Sequence, residues 1–108
     1  MRENIRKIIL GITEKIKSDY QPEKIMLYGS FAYGKPDKDS DIDLLIIKKT
    51  KDRPIDRRIR VRMIVASVRG GLPFSSIVVT PQELGRRMKM QDQFFTEIVS
   101  KGKVLYAG

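Results

Sequence analysis

The sequence has no cysteine, no histidine and no tryptophan. Disulfides, zinc sites of the usual kind and every histidine-based catalytic triad are thereby excluded. Whatever chemistry occurs must come from carboxylates, hydroxyls, lysine, arginine or a hard metal ion. Long apolar runs are missing too. The longest near the start, Ile8-Ile9-Leu10-Gly11-Ile12, falls well short of the ~20 residues needed to cross a bilayer. Charges at Glu3, Lys7, Glu14, Lys15 and Lys17 surround it, and no small-residue cleavage pattern follows, so a signal peptide does not fit. A cytoplasmic protein without membrane contact is expected. Acidic residues are the scarcer charge, 13 against 22 basic ones, and the net charge of +9 would attract nucleotide phosphates, RNA or an acidic protein surface.

What is present suits a single domain over residues 1–108, of a size that can bury one core. Ile5, Ile8, Ile9, Ile12 and Ile16 recur at helical spacing from about Arg2 to Asp19, predicting an amphipathic helix that Pro22 closes. Lys24 to Tyr28 reads as a short buried strand stopped by Gly29, and Ile42 to Ile47 as a second. The polar, turn-rich Gly34 to Ser40 joins them as a surface loop.

Pro54 suits the first turn of a helix running to about Arg69, where Gly70-Gly71 would stop it. Arg58, Arg60 and Arg62 alternate with Ile59, Val61 and Met63, which is also a strand period, but the length of the segment favours the helix. Ser76 to Val79 reads as a third strand. Thr80-Pro81-Gln82-Glu83 then forms a capping box with proline at the first helical position. A final helix is expected around Gln91 to Ser100, then a turn at Gly102 and a last strand, Val104 to Tyr106. The expected architecture is α/β (α+β), a small mixed sheet of about four strands flanked by helices.

Two segments carry candidate chemistry. Gly29-Ser30-Phe31-Ala32-Tyr33-Gly34 follows a strand and opens a short helical turn, where glycine permits close approach and free N–H groups can hold a phosphate. Taken by itself, this segment is explained more simply as an ordinary strand-ending turn. In Ser40-Asp41-Ile42-Asp43-Leu44 the two carboxylates, two residues apart on a strand, project to one face. Their repulsion is relieved by a hard, oxygen-liganded cation such as Mg²⁺. The alternative is an Asx turn at Asp41 and an arginine partner for Asp43. Taken together, a phosphate cradle and a metal-holding pair suit phosphoryl or nucleotidyl transfer.

These two segments resemble the signature of the polymerase-beta superfamily of nucleotidyltransferases, in particular its minimal nucleotidyltransferase (MNT) members of the HEPN/MNT toxin–antitoxin type. Gly71-Leu72-Pro73, Thr80-Pro81-Gln82-Glu83-Leu84, Glu97-Ile98 and Gly102-Lys103-Val104-Leu105-Tyr106 are similar to that subgroup as well. The resemblance implies the nucleotidyltransferase fold. It also implies a triphosphate contacted by Gly29, Ser30 and Ser40, with Asp41 and Asp43 as catalytic metal ligands in a site able to hold two Mg²⁺ ions. The implied reaction transfers AMP from ATP to a hydroxyl of a HEPN-domain partner, in an antitoxin role.

Two departures stand out. Phe31 or Tyr33 occupies a place where the family often has arginine. Ser75 stands where the family usually has a third carboxylate at the start of the third strand, with Asp39 or Glu83 as candidate substitutes. An antitoxin that has lost catalysis and neutralises its HEPN partner by binding is therefore the second reading.

Arg53, Arg57, Arg58, Arg60, Arg62 and Arg69 form the main basic cluster, with Arg58, Arg62 and Arg69 expected on one helix side. A solvated face, an acidic partner and, least of the three, RNA can account for it. A homo-oligomer is left open. Tyr28, Tyr33 and Tyr106 are candidate modification targets, though apolar packing suffices for Tyr28 and Tyr106.

Overall fold

A computed structural model describes residues 3–37 and 39–108. In chain order the elements are α1 (Glu3–Tyr20), β1 (Lys24–Tyr28), α2 (Ser30–Tyr33), β2 (Ile42–Ile47) and α3 (Pro54–Val65), then β3 (Phe74–Val79), α4 (Pro81–Lys89), α5 (Gln93–Lys101) and β4 (Lys103–Ala107). The four strands form one mixed sheet in the order β3-β2-β1-β4. β1 runs antiparallel to both β2 and β4, while β2 and β3 are parallel. A parallel pair needs a long crossover, and α3 supplies it.

The sheet separates two cores by the two-residue period of its strands. Ile42, Leu44 and Ile46 point to one face, where they meet Ile9, Ile12 and Ile16 of α1 and Val61 and Val65 of α3. Leu45 points to the other, with Met26, Val79 and the α5 residues Phe95 and Ile98. The isoleucines of α1 fall where the sequence spacing put them. Each contributes roughly 1.5–3 kcal/mol by leaving water. The helix ends at Tyr20 because Gln21 turns to φ 54° and its N–H returns to the Ile16 carbonyl at 3.3 Å.

The segment with two competing periods is a helix. It is shorter than expected, ending at Val65, with turns between it and Gly70. Arg69 is thus not on its face; its guanidinium instead donates to the Leu72 carbonyl at 2.9 Å. Arg57 leaves the basic cluster for the interior, 5% exposed. It donates to the Asp52 and Val78 carbonyls and to both Glu83 carboxylate oxygens, at 2.7–3.3 Å. Glu83 also completes the expected capping box with Thr80. β3 begins at Phe74 rather than Ser76, and α5 begins at Gln93, capped by Asp92 accepting from the Phe95 N–H at 3.2 Å.

Candidate functional site

The site grows from the end of β1. Gly29 adopts φ 76°, ψ −161°, a conformation that side-chain-bearing residues avoid. A Cβ here would also run into the Asp43 carboxylate. The turn therefore needs glycine twice over, for its backbone and for its neighbour. Beyond it the Ala32 and Tyr33 N–H groups close back on the Gly29 carbonyl at 3.0 and 3.1 Å. The amides of Ser30 and Phe31 precede these bonds, so α2 contains no acceptor for them. Phe31 and Ala32 are buried and anchor the turn, whereas Tyr33 is exposed.

Asp43 lies on β2 directly opposite Tyr28 of β1 and directly beside Ser75 of β3. Its side chain shares the sheet face of Leu45 and is half-buried. Burial, and then the nearby Asp41 carboxylate, push the Asp43 carboxyl above its ordinary range. Asp41 itself, just before β2, is exposed. Neither carboxylate forms an ion pair or accepts a hydrogen bond among the described residues. The loop's Asx turn belongs instead to Asp37, whose Oδ1 accepts from the Asp39 N–H at 2.8 Å. The two simpler explanations for the carboxylate pair are thus not met. Ser40 uses its hydroxyl within the loop, accepting from the Asp37 N–H at 2.8 Å and donating to Asp37 Oδ1 at 3.3 Å.

Gly29, Asp41 and Asp43 come together at one end of the sheet, with Ser30 next in the chain. Strand register decides what stands beside Asp43. Ser75 is the β3 partner of Asp43, so it faces the pair and brings only a hydroxyl. Glu83, the other expected candidate, does not join the pair. It follows the far end of β3 and is tied to Arg57 and Thr80, which hold its carboxyl below the usual range, the Arg57 hydrogen bond most of all. Asp39 remains on the loop that leads into Asp41. Among the described residues no group of three or more potential acidic ligands assembles.

The donor set fits one Mg²⁺, which binds through one or two carboxylates and completes its shell with substrate phosphates and water. Tyr28, expected from the sequence as a packing residue or a modification target, is a neighbour of the site that the sequence did not place there. Burial, then Asp43, then Tyr33 push its phenol up to about 12. It stays neutral beside the carboxylates. Its place as the last residue before Gly29 was the available signal. A cleft of about 150 Å³ opens here between Tyr28, Gly29, Tyr33, Phe94, Glu97 and Ile98.

A glycine turn, free amides and paired carboxylates at one sheet end have the chemistry that a phosphorylated ligand and a hard cation require. The chain belongs to the polymerase beta nucleotidyltransferase family, whose pattern matches residues 11–108. It is 36% identical over 107 residues to a candidate protein adenylyltransferase of Methanocaldococcus jannaschii, a match covering 94% of this chain and 71% of that protein. Its fold is similar to a toxin–antitoxin crystal structure containing AMP-PNP, with TM-score 0.64, 22% identity, and 92% and 73% of the two chains covered. It is also similar to a mutant of the toxin–antitoxin pair MntA–HpeT, with TM-score 0.57, 20% identity, and 100% and 74% covered. The mixed four-stranded sheet flanked by helices is the nucleotidyltransferase fold, and the chain is adenylyltransferase-like in its relationships. No helix among the described residues is long and apolar enough to cross a membrane.

Proposed function

We propose that this protein is a Mg²⁺-dependent adenylyltransferase that moves AMP from ATP to a hydroxyl of a HEPN-type partner, acting as the antitoxin of the pair. The observation that carries the reading is the close approach of the Asp43 carboxylate to Gly29, where an added Cβ would collide with it. It supports a reading in which the Gly29 turn cradles phosphates beside the carboxylate pair, so that one triphosphate can touch both.

In this reading the Ser30 hydroxyl and the Ser30 and Phe31 amides hold the outer phosphates. Asp41 and Asp43 hold Mg²⁺ against the phosphate oxygens. The metal, when bound, supplies charge neutralisation for a reaction in which the acceptor oxygen bonds to the α-phosphorus and pyrophosphate leaves. Ser40 shapes the loop that presents Asp41. The acceptor approaches past Ser75, and its proton passes to solvent or to a carboxylate, since no histidine exists to take it.

The second reading, neutralisation by binding alone, draws on Ser75 beside Asp43. One experiment separates the two. The protein and its partner are incubated with ATP labelled either at the α- or at the γ-phosphate. Transfer of the α-label only, lost in Asp43→Asn, supports the enzyme. Mg-ATP binding and toxin neutralisation without any label transfer support the binding antitoxin.

A further inference from the structure

α3 turns one side inward through Arg57, Val61 and Val65. On its outer side Ile55, Arg58, Ile59 and Arg62 stand at positions i, i+3, i+4 and i+7, which makes them one continuous patch. Ile55 and Ile59 are each 51% exposed, far more than a helix anchored on a core requires of isoleucine. Arg58 and Arg62 are exposed and form no ion pair among the described residues. These four side chains line a groove of about 170 Å³ whose opposite wall is the start of β3, including Ser75. From Arg58 and Ser75 it continues along the sheet edge as a second groove of about 310 Å³. Neither lining contains an aspartate or glutamate. The groove therefore begins on a basic, partly apolar helix face and reaches the strand position beside Asp43.

We propose that this groove docks an acidic, partly apolar segment of the protein that bears the acceptor hydroxyl, an inference that rests on the reading of the site given above. Carboxylates of the segment meet Arg58 and Arg62, apolar side chains cover Ile55 and Ile59, and the hydroxyl is delivered past Ser75. Charge complementarity selects this occupant. A second copy of the chain, itself carrying a net charge of +9, would be repelled on average from this basic face. Single-stranded RNA would find no exposed aromatic in the lining on which to stack, and its phosphates would leave the isoleucines uncovered.

The test uses fluorescence anisotropy with a labelled glutamate–tyrosine copolymer, a lysine–tyrosine copolymer and a single-stranded oligouridylate as probes. The glutamate–tyrosine copolymer should bind best. Arg58→Glu/Arg62→Glu should weaken it by about tenfold or more, and Ile59→Ser should weaken it to a lesser degree. Lys101→Glu/Lys103→Glu, at the opposite sheet edge, should change affinity by less than about twofold. Equal losses from the two charge reversals, tighter binding of the oligouridylate, or no copolymer binding would each overturn the proposal. Calorimetry with Mg-ATP on the same proteins keeps the two ideas apart. The Arg58/Arg62 variant should bind Mg-ATP like the parent. An Asp43→Asn variant with unchanged Mg-ATP affinity would remove the nucleotide site and leave the docking result standing.

Discussion

Asp43 and Ser75 are register partners in the parallel pair of β2 and β3, so a carboxylate placed at Ser75 would share the surroundings of Asp43. Burial and Asp41 already disfavour charge on Asp43. Ser75→Asp should therefore lower stability in chelator by about 1 kcal/mol, the equivalent of shifting one carboxyl by somewhat under one pKa unit. For a domain of this size that is roughly 4–8 °C in Tm. Added Mg²⁺ should restore the loss, and AMP transfer to the partner should rise. Melting curves with and without Mg²⁺, beside label incorporation, check both halves. A variant indifferent to Mg²⁺ and no faster than its parent would contradict the arrangement.

Asp43→Asn removes one of two mutually repelling carboxylates without changing side-chain volume. The metal-free fold should be as stable as the parent's or slightly more so, while Mg-ATP affinity falls by at least about tenfold and transfer is lost. Titration calorimetry and circular dichroism on one preparation separate the two effects.

Two glycines at the ends of α2 provide a matched pair. Gly29 and Gly34 both have positive φ, but only at Gly29 does an added Cβ meet another group, Asp43; at Gly34 nothing lies within 4 Å. Gly34→Ala should cost only the backbone penalty of about 1–2 kcal/mol. Gly29→Ala should cost more and also weaken Mg-ATP binding by displacing Asp43. Urea midpoints and nucleotide affinities measured side by side decide this, and equal behaviour of the two variants would show that the Gly29–Asp43 contact is unimportant.

The pair Arg57–Glu83 should appear in the acid response. The hydrogen bond from Arg57 holds the Glu83 carboxyl below 4.5. A carboxyl lowered in the folded state stabilises the protein above its unfolded pKa, and that contribution is lost as pH falls through the folded value. Glu83→Gln should therefore be less stable than the parent at neutral pH, and the gap should narrow as pH falls through and below the ordinary glutamate range. Parallel stability curves across that range would count against the pair. Because Arg57 is 5% exposed, Arg57→Ala should cost more than a surface substitution, about 2–4 kcal/mol, by leaving the Val78 carbonyl and Glu83 without their donor.

Much of the fold is legible because local rules and tertiary demands agree. Thr80-Pro81-Gln82-Glu83 states its helix start in four letters, and the isoleucines of α1 state their buried side. The Gly29–Asp43 constellation is legible because strand alternation is a strict period and glycine marks the turn. Arg57 is not, since nothing local distinguishes it from Arg58. Only the crossover geometry of α3 carries one arginine under the sheet edge and leaves the next in solvent. Glu83 misleads for the same reason: its distance from Asp43 is a matter of which end of β3 it follows. The end of α3 at Val65 is obscured because Ala66, Ser67 and Val68 contain no breaker, and the chain turns there under packing constraints that pattern does not express.

The division of labour along the chain has a consequence for how such a protein can change. On the proposed reading the nucleotide-facing groups lie on one continuous stretch from β1 to β2, whereas Ser75, beside them in the sheet, is delivered separately, after the α3 crossover. On that reading a single codon on β3 would strengthen or weaken group transfer while capture of the nucleotide is inherited intact. Slower and faster members of such a lineage would then differ by a side chain rather than by a fold.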